Sequence, residues 1–250
     1  MKKGIIGFGD MGKSLTTGLI KGGTAKEDIV VYDMNQRAVD RAVAMGIDAK
    51  EIKDLVACSD VIIFAIPKQP FVDMDMSQYD FDGKIIISCM AEVKMDALKQ
   101  KFPTQQVVRV IPTLAAENGV SIVGVCFDGE ADNKEEIKAM FRKVGTIIEC
   151  EESELTSLTA LAACGLCYAA YILNCFINTA ENLGIDREVG QEIVEKTFKS
   201  AMEMGDYELL LGKIAGHGGI TISGVNVMNE ANVHKSIDIA FKTAYSAFLK

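Results

Sequence analysis

The chain has 250 residues, enough for one large domain or two modest ones with an ample core. Its formal net charge of −9 argues against nucleic acid or an anionic membrane surface as partner. Seven cysteines, odd in number and irregularly spaced, read as reduced thiols of a cytoplasmic protein rather than as a disulfide framework.

In chain order, Lys3-Gly4-Ile5-Ile6 reads as a short buried strand and residues 13–20 as an amphipathic helix. Between them lies a glycine turn, Gly7-Phe8-Gly9-Asp10-Met11-Gly12. A second apolar run, Ile29-Val30-Val31-Tyr32, ends at Asp33. G-x-G-x-x-G between a strand and a helix, with an acid about twenty residues on, is the dinucleotide-binding pattern. Gly7 allows the tight turn, Gly9 lets backbone amides approach a pyrophosphate, and Gly12 lets the helix lie close to the sheet. The helix N-terminus, with free amides and partial positive charge, faces the phosphates. Asp33 is expected to accept hydrogen bonds from an adenosine ribose and to repel a 2′-phosphate, which favours NADH over NADPH. Arg37 nearby softens that preference, and a solvated strand-end acid is the plainer alternative.

Two rivals stand beside this reading. Residues 7–14 also spell G-x-x-x-x-G-K-S, the phosphate loop of ATPases, with Asp33 as the magnesium-binding acid. The other rival is a chance match. The acid at the end of the very next strand favours the dinucleotide.

Residues 36–45 read as a helix and 60–66 as a fully apolar strand, as a parallel sheet buried on both faces requires. That strand stops at Pro67-Lys68-Gln69-Pro70. Strands are expected at 84–88, 107–110, 120–127 and 146–148, with a helix near 133–143. Ligands gather beyond the carboxyl ends of such strands, which adds Ala65, Pro67, Lys68 and Ser88 to the cofactor-binding set. The fold class is α/β, a Rossmann-type doubly wound sheet over residues 1–150, followed by an all-α domain over 151–250.

In the second part helices are expected at 153–183, 186–203, 207–214, from about 218, and at 233–249. The apolar load at 158–177 exceeds a single stripe, and a hundred-residue helical half can hardly bury it alone. A homodimer follows as the expectation, with further assembly left open. No apolar run reads as approaching the roughly twenty residues of a bilayer span. A strand starting near residue 3 leaves little room for a signal peptide, so no membrane partner is expected.

Gly218-Gly219-Ile220-Thr221 opens a helix after a glycine-rich turn. Amides exposed there suit a substrate carboxylate, with the Thr221 hydroxyl as a further donor; plain capping is the equal alternative. His217 beside it can donate a proton, although a solvent-facing loop histidine is the simpler reading. Cys164 and Cys167 form one C-x-x-C with no second ligand pair, so no metal is expected. Helical spacing makes them, with Cys175, packing residues.

The order of motifs resembles the pyrroline-5-carboxylate reductase family along nearly the whole chain. The resemblance is carried by Gly7-Phe8-Gly9-Asp10-Met11-Gly12, Val108-Arg109-Val110-Ile111-Pro112, Leu158-Thr159-Ala160-Leu161 leading to Tyr168, and Gly218-Gly219-Ile220-Thr221 followed by Val227-Met228. It implies a Rossmann domain, an interleaved helical dimer, and reduction of a cyclic imino acid to proline with NADPH or NADH. It also places Tyr171 where a residue hydrogen-bonds the substrate nitrogen; an aromatic in an apolar helix is otherwise a core residue. Thr221, Tyr171 and His217 are thus the catalytic candidates, and Gly218, Gly219, Ile220 and Thr221 the substrate-binding ones. Ala162-Ala163-Cys164-Gly165-Leu166-Cys167-Tyr168 replaces the family's Ser-Gly-Ser-Gly-Pro-Ala-Tyr. A paralogue acting on another cyclic imine and a non-catalytic dinucleotide sensor remain alternatives.

Overall fold

A computed structural model of the chain describes residues 1–103, 106–129, 133–216 and 219–249. Close contacts divide it into two compact units, Met1–Ala163 and Cys164–Lys250. In the first unit, eight strands form one sheet among the described residues. They are β1 (Lys3–Ile6), β2 (Ile29–Tyr32), β3 (Asp48–Ala49), β4 (Val61–Phe64), β5 (Ile85–Ser88), β6 (Gln106–Ile111), β7 (Ser121–Phe127) and β8 (Gly145–Glu149). Their order is β3-β2-β1-β4-β5-β6-β7-β8, all parallel except the antiparallel β6–β7 pair. The direction of winding reverses between β1 and β4, and that is where a crevice opens.

Strand alternation sends successive residues to opposite faces, and both faces here are buried. Ile5, Val31, Ile63 and Val108 join one core with Leu15 and Leu19. Ile6, Val30, Ile62 and Phe64 join the other with Leu55 and Leu98. The helices over these faces are α1 (Asp10–Lys21), α2 (Gln36–Ala44), α3 (Ile52–Cys58), α4 (Lys68–Asp73), α5 (Met95–Lys101) and α6 (Lys134–Arg142). α7 (Glu152–Thr159) lies on β7, where Gly124 leaves room for Leu155 and Leu158.

A π-helical turn, Ala160–Cys164, follows α7. The second unit is helical throughout its described residues: α8 (Gly165–Asn182), α9 (Arg187–Met204), α10 (Tyr207–Ala215), α11 (Ile220–Glu230) and α12 (Val233–Phe248). The Tyr168 and Phe241 rings meet edge-on at 5.0 Å, and Phe176 meets Phe198 likewise at 5.1 Å. Beyond such contacts α8 is bare, with Ala180 its single buried residue.

Two expectations are corrected here. The segment Glu152–Asn182 is long and apolar enough to cross a membrane by length and composition. No charged side chain falls between Glu154 and Glu181, and the Thr, Asn and Gly residues there sit within continuous helix. Cys167 and Cys175, expected as packing residues, are exposed because one copy of the chain leaves that side of α8 uncovered.

Candidate functional site: a dinucleotide crevice at the reversal of the sheet

The glycine turn is short. Gly7 follows β1 with φ +101°, a conformation side chains resist, and its N–H donates to the Tyr32 carbonyl at 2.8 Å. A Cβ at Gly12 would lie 1.9 Å from the Gly7 carbonyl oxygen, so helix and turn are packed backbone to backbone. At Gly9 an added Cβ would meet nothing within 4 Å, which leaves its backbone open to a ligand. Gly9 is also the extended N-cap of α1, and no side chain caps that helix. Amides unsatisfied at a helix mouth form a site for a phosphate.

Asp33 closes the turn from the other side. One carboxylate oxygen accepts the Phe8 N–H at 2.6 Å and the other accepts the Asn35 N–H at 2.8 Å. The Phe8 carbonyl accepts from the Arg41 guanidinium at 3.2 Å, so both polar groups of that peptide are tied inside the protein. The Phe8 ring is fully buried in the core. With its amide, carbonyl and ring all engaged, Phe8 shapes the turn and has no free group to offer a cofactor.

Between these parts lies a crevice of about 510 Å³, with Gly7 and Gly9 at one end and Asp33, Tyr32, Ala65 and Pro67 around it. Ile52, Pro70 and Met74 supply an apolar flank of the kind a flat heterocycle fills. Burial, then the neighbouring Glu51, pushes the Tyr32 phenol above its ordinary pKa and keeps it protonated. An uncapped helix mouth, an open Gly9 and an acid on the next strand fit a dinucleotide.

The ATPase alternative fails on the same geometry. α1 begins at Asp10, so Lys13 and Ser14 lie inside the helix rather than opening it, and Ser14 is buried. In the ATPase loop the lysine and the hydroxyl reach phosphate and magnesium from the opening of the helix.

The remaining candidates fall as follows. Asp10 is exposed in the first turn of α1, Met11 packs partly against the core, and Lys68 is exposed at the start of α4. Ser88 is fully buried, and its hydroxyl accepts the Met90 N–H at 3.3 Å. In the second unit Gly219 is the N-cap of α11, with Ile220 96% exposed and Thr221 also exposed. Tyr171 on α8 is 71% exposed, not a core residue in the single chain, whereas Tyr168 donates its hydroxyl to the Ala240 carbonyl at 3.3 Å. His217 and Gly218 lie outside the described residues. Arg41 and the apolar flank were missed by sequence reasoning; Arg41 lies one helical turn beyond Arg37, but nothing in its spacing reveals that it reaches Phe8. No group of side chains able to hold a metal occurs among the described residues.

Comparison with known proteins adds two family models. Residues 152–249 match the pyrroline-5-carboxylate reductase dimerisation model, and residues 2–92 match the model of coenzyme F420-dependent NADP oxidoreductases. The pyrroline-5-carboxylate reductase of Aquifex aeolicus is 26% identical over 239 residues, covering 92% of this chain and 89% of the relative. Pyrroline-5-carboxylate reductase 2 of Bacillus subtilis is 25% identical, covering 95% and 90%. The crystal structure of Plasmodium falciparum pyrroline carboxylate reductase with NADP bound shares the fold, with a TM-score of 0.90 at 21% identity, over 99% of this chain and 97% of that one. A nucleotide-binding half, a dimerisation half, and relatives matched over most of their length agree: this chain belongs to the pyrroline-5-carboxylate reductase family.

Proposed function

We propose that the chain is an NAD(P)H-dependent reductase of a small cyclic imino acid, most simply 1-pyrroline-5-carboxylate to L-proline. The observation that carries this is the crevice at the β1–β4 reversal, with its uncapped α1 mouth and its acid at the end of β2. Gly9, Asp10, Met11 and Gly12 hold the pyrophosphate through backbone at the mouth of α1, and Gly7 and Phe8 shape the turn beneath it. Asp33 faces the ribose, and Ala65, Pro67, Lys68 and Ser88 mark the ends of β4 and β5 over which the nucleotide extends. Asp33 keeps free lone pairs for ribose hydroxyls, and its charge disfavours a 2′-phosphate, so NADH is the preferred reductant.

A bound reduced nicotinamide supplies the hydride. The chain's own residues have little proton chemistry to do. No lysine occurs between Lys143 and Lys196, where a carbonyl reductase of similar plan would need an acid to protonate the alkoxide that hydride addition forms. A cyclic imine arrives protonated and needs orientation and exclusion of water more than an acid. The α11 mouth at Gly219 and Ile220, with the Thr221 hydroxyl, holds the substrate carboxylate, and Gly218 precedes them in the sequence motif. The Tyr171 hydroxyl oxygen accepts the N–H of the protonated ring nitrogen, and His217, next to Gly218 in the sequence, remains a candidate to pair with the carboxylate.

We assign the cofactor to residues 1–150 and substrate and dimerisation to residues 151–250. The bare apolar faces of the second unit are covered by a second copy of the chain, not by lipid: the segment that could span a membrane falls within the part matched by the dimerisation model. The enzyme works in the cytoplasm, without nucleic acid or membrane partners.

The test is a panel of five- and six-membered cyclic imino acids followed by the loss of NADH and NADPH absorbance. Turnover of pyrroline-5-carboxylate with higher catalytic efficiency for NADH is the expected result. Turnover restricted to a six-membered imine would mark a paralogue with another substrate. Dinucleotide binding with no turnover on any imine would make the chain a sensor, and an NADPH advantage would remove the role given to Asp33.

A further inference from the structure

Arg109 stands in the middle of β6, paired in register with Ser88 of β5 on one side and Cys126 of β7 on the other. Its neighbours along the strand are Val108 and Val110, and it is only 3% exposed. Burying a cation costs more than burying an apolar side chain, and a partner seldom returns all of that cost. Its Nε adds to the cost, finding no acceptor among the described residues. Stability therefore gives no reason for an arginine in a strand otherwise rich in valine.

The contacts of the guanidinium do give one. Nη2 donates to the Ala91 carbonyl at 2.9 Å and to the Met90 carbonyl at 3.5 Å. Nη1 pairs with Glu152 at 2.8 Å, and the same carboxylate oxygen accepts the Met95 N–H at 2.6 Å. One guanidinium thus grips the loop leaving β5, and its partner on α7 grips the first residue of α5 that ends that loop. In a sheet built from two mononucleotide-binding halves, the adenosine half lies over β1–β3 and the second nucleotide lies over the ends of β4–β6. The loop after β5 belongs to the second half.

We propose that Arg109, braced by Glu152, is a positioning residue that sets the 89–94 loop against the nicotinamide half of the cofactor. This rests on the reductase reading above. Displacing a positioning loop by an ångström costs rate rather than adenosine affinity, because the adenosine half is held elsewhere.

The experiment compares wild type, Arg109→Met and Arg109→Lys, measuring kcat with pyrroline-5-carboxylate, affinity for ADP-ribose, and amide hydrogen exchange. Arg109→Met should lower kcat about 10- to 100-fold. It should leave ADP-ribose affinity unchanged, and should speed exchange at residues 89–95 but not at residues 7–12. Arg109→Lys retains the ion pair but not the planar fork that spans both carbonyls, and should fall between the two. If Arg109→Met fails to fold, Arg109→Lys decides, and a wild-type kcat there overturns the proposal. So does a folded Arg109→Met with unchanged kcat, or one in which ADP-ribose affinity and kcat fall in parallel. A wild-type protein that binds ADP-ribose but turns over no imine would instead sink the reductase reading, and this proposal with it.

Discussion

Among single residues, the thiols separate by environment. Cys89 is buried, and burial pushes its pKa from 9.0 up to about 12; burial likewise raises Cys126 to about 11. A thiol whose folded pKa exceeds its unfolded value stabilises the fold fully below the unfolded pKa, and that contribution drains away as pH rises toward the folded one. Melting temperature should therefore fall between about pH 9 and 11. Cys89→Ala should recover on the order of 1 kcal/mol of the loss at about pH 10. Equal alkaline slopes for wild type and variant would refute it. Cys167 and Cys175, both exposed in the single chain, are read the other way. Periodicity placed them correctly on a helix but said nothing about which face another copy of the chain covers.

Among elements, the β1-turn-α1 unit is a tight joint. The 1.9 Å clearance at Gly12 is to a carbonyl oxygen, which no side-chain rotation relieves. Gly12→Ala should destabilise the protein by about 3 kcal/mol and raise the dissociation constants of NADH and NADPH together. Thermal melting and cofactor titration check this, and a variant with wild-type affinity would show that the turn is not the cofactor's seat. This unit was legible in the sequence because glycine spacing, an apolar strand on either side and the acid at position 33 all state the same geometry. β3 was not, since two edge residues, Asp48–Ala49, are too few to display alternation. The π-helical turn at Ala160–Cys164 was also hidden, because one extra residue in a helical turn leaves an all-apolar pattern unchanged. Arg109 was visible as a residue, but its grip on Met90 and Ala91 depends on a loop from another strand, which spacing within one segment does not record.

At the scale of the whole molecule, the second unit presents Tyr171, Ile220, Val227 and Ile239 to solvent at exposures of 71, 96, 64 and 61%. So much bare apolar surface is the mark of an interface. Light scattering should give a mass of two chains or a multiple of two at micromolar concentration. An active, dilute monomer would contradict that. The change of architecture was legible at this scale too: alternating strands and helices with all four prolines come first, and a proline-free helical run follows.

The bond from the Phe8 amide to Asp33 has a consequence for anyone wishing to retarget the enzyme's reductant. The usual first move, exchanging the β2 acid for a small neutral residue to admit an extra phosphate, would here also unfasten the peptide that shapes the pyrophosphate seat. Under the role proposed for Asp33, cofactor choice and loop architecture share one carboxylate. Reversal of preference therefore calls for a coupled change, one substitution to make room and another to restore an acceptor for that orphaned amide.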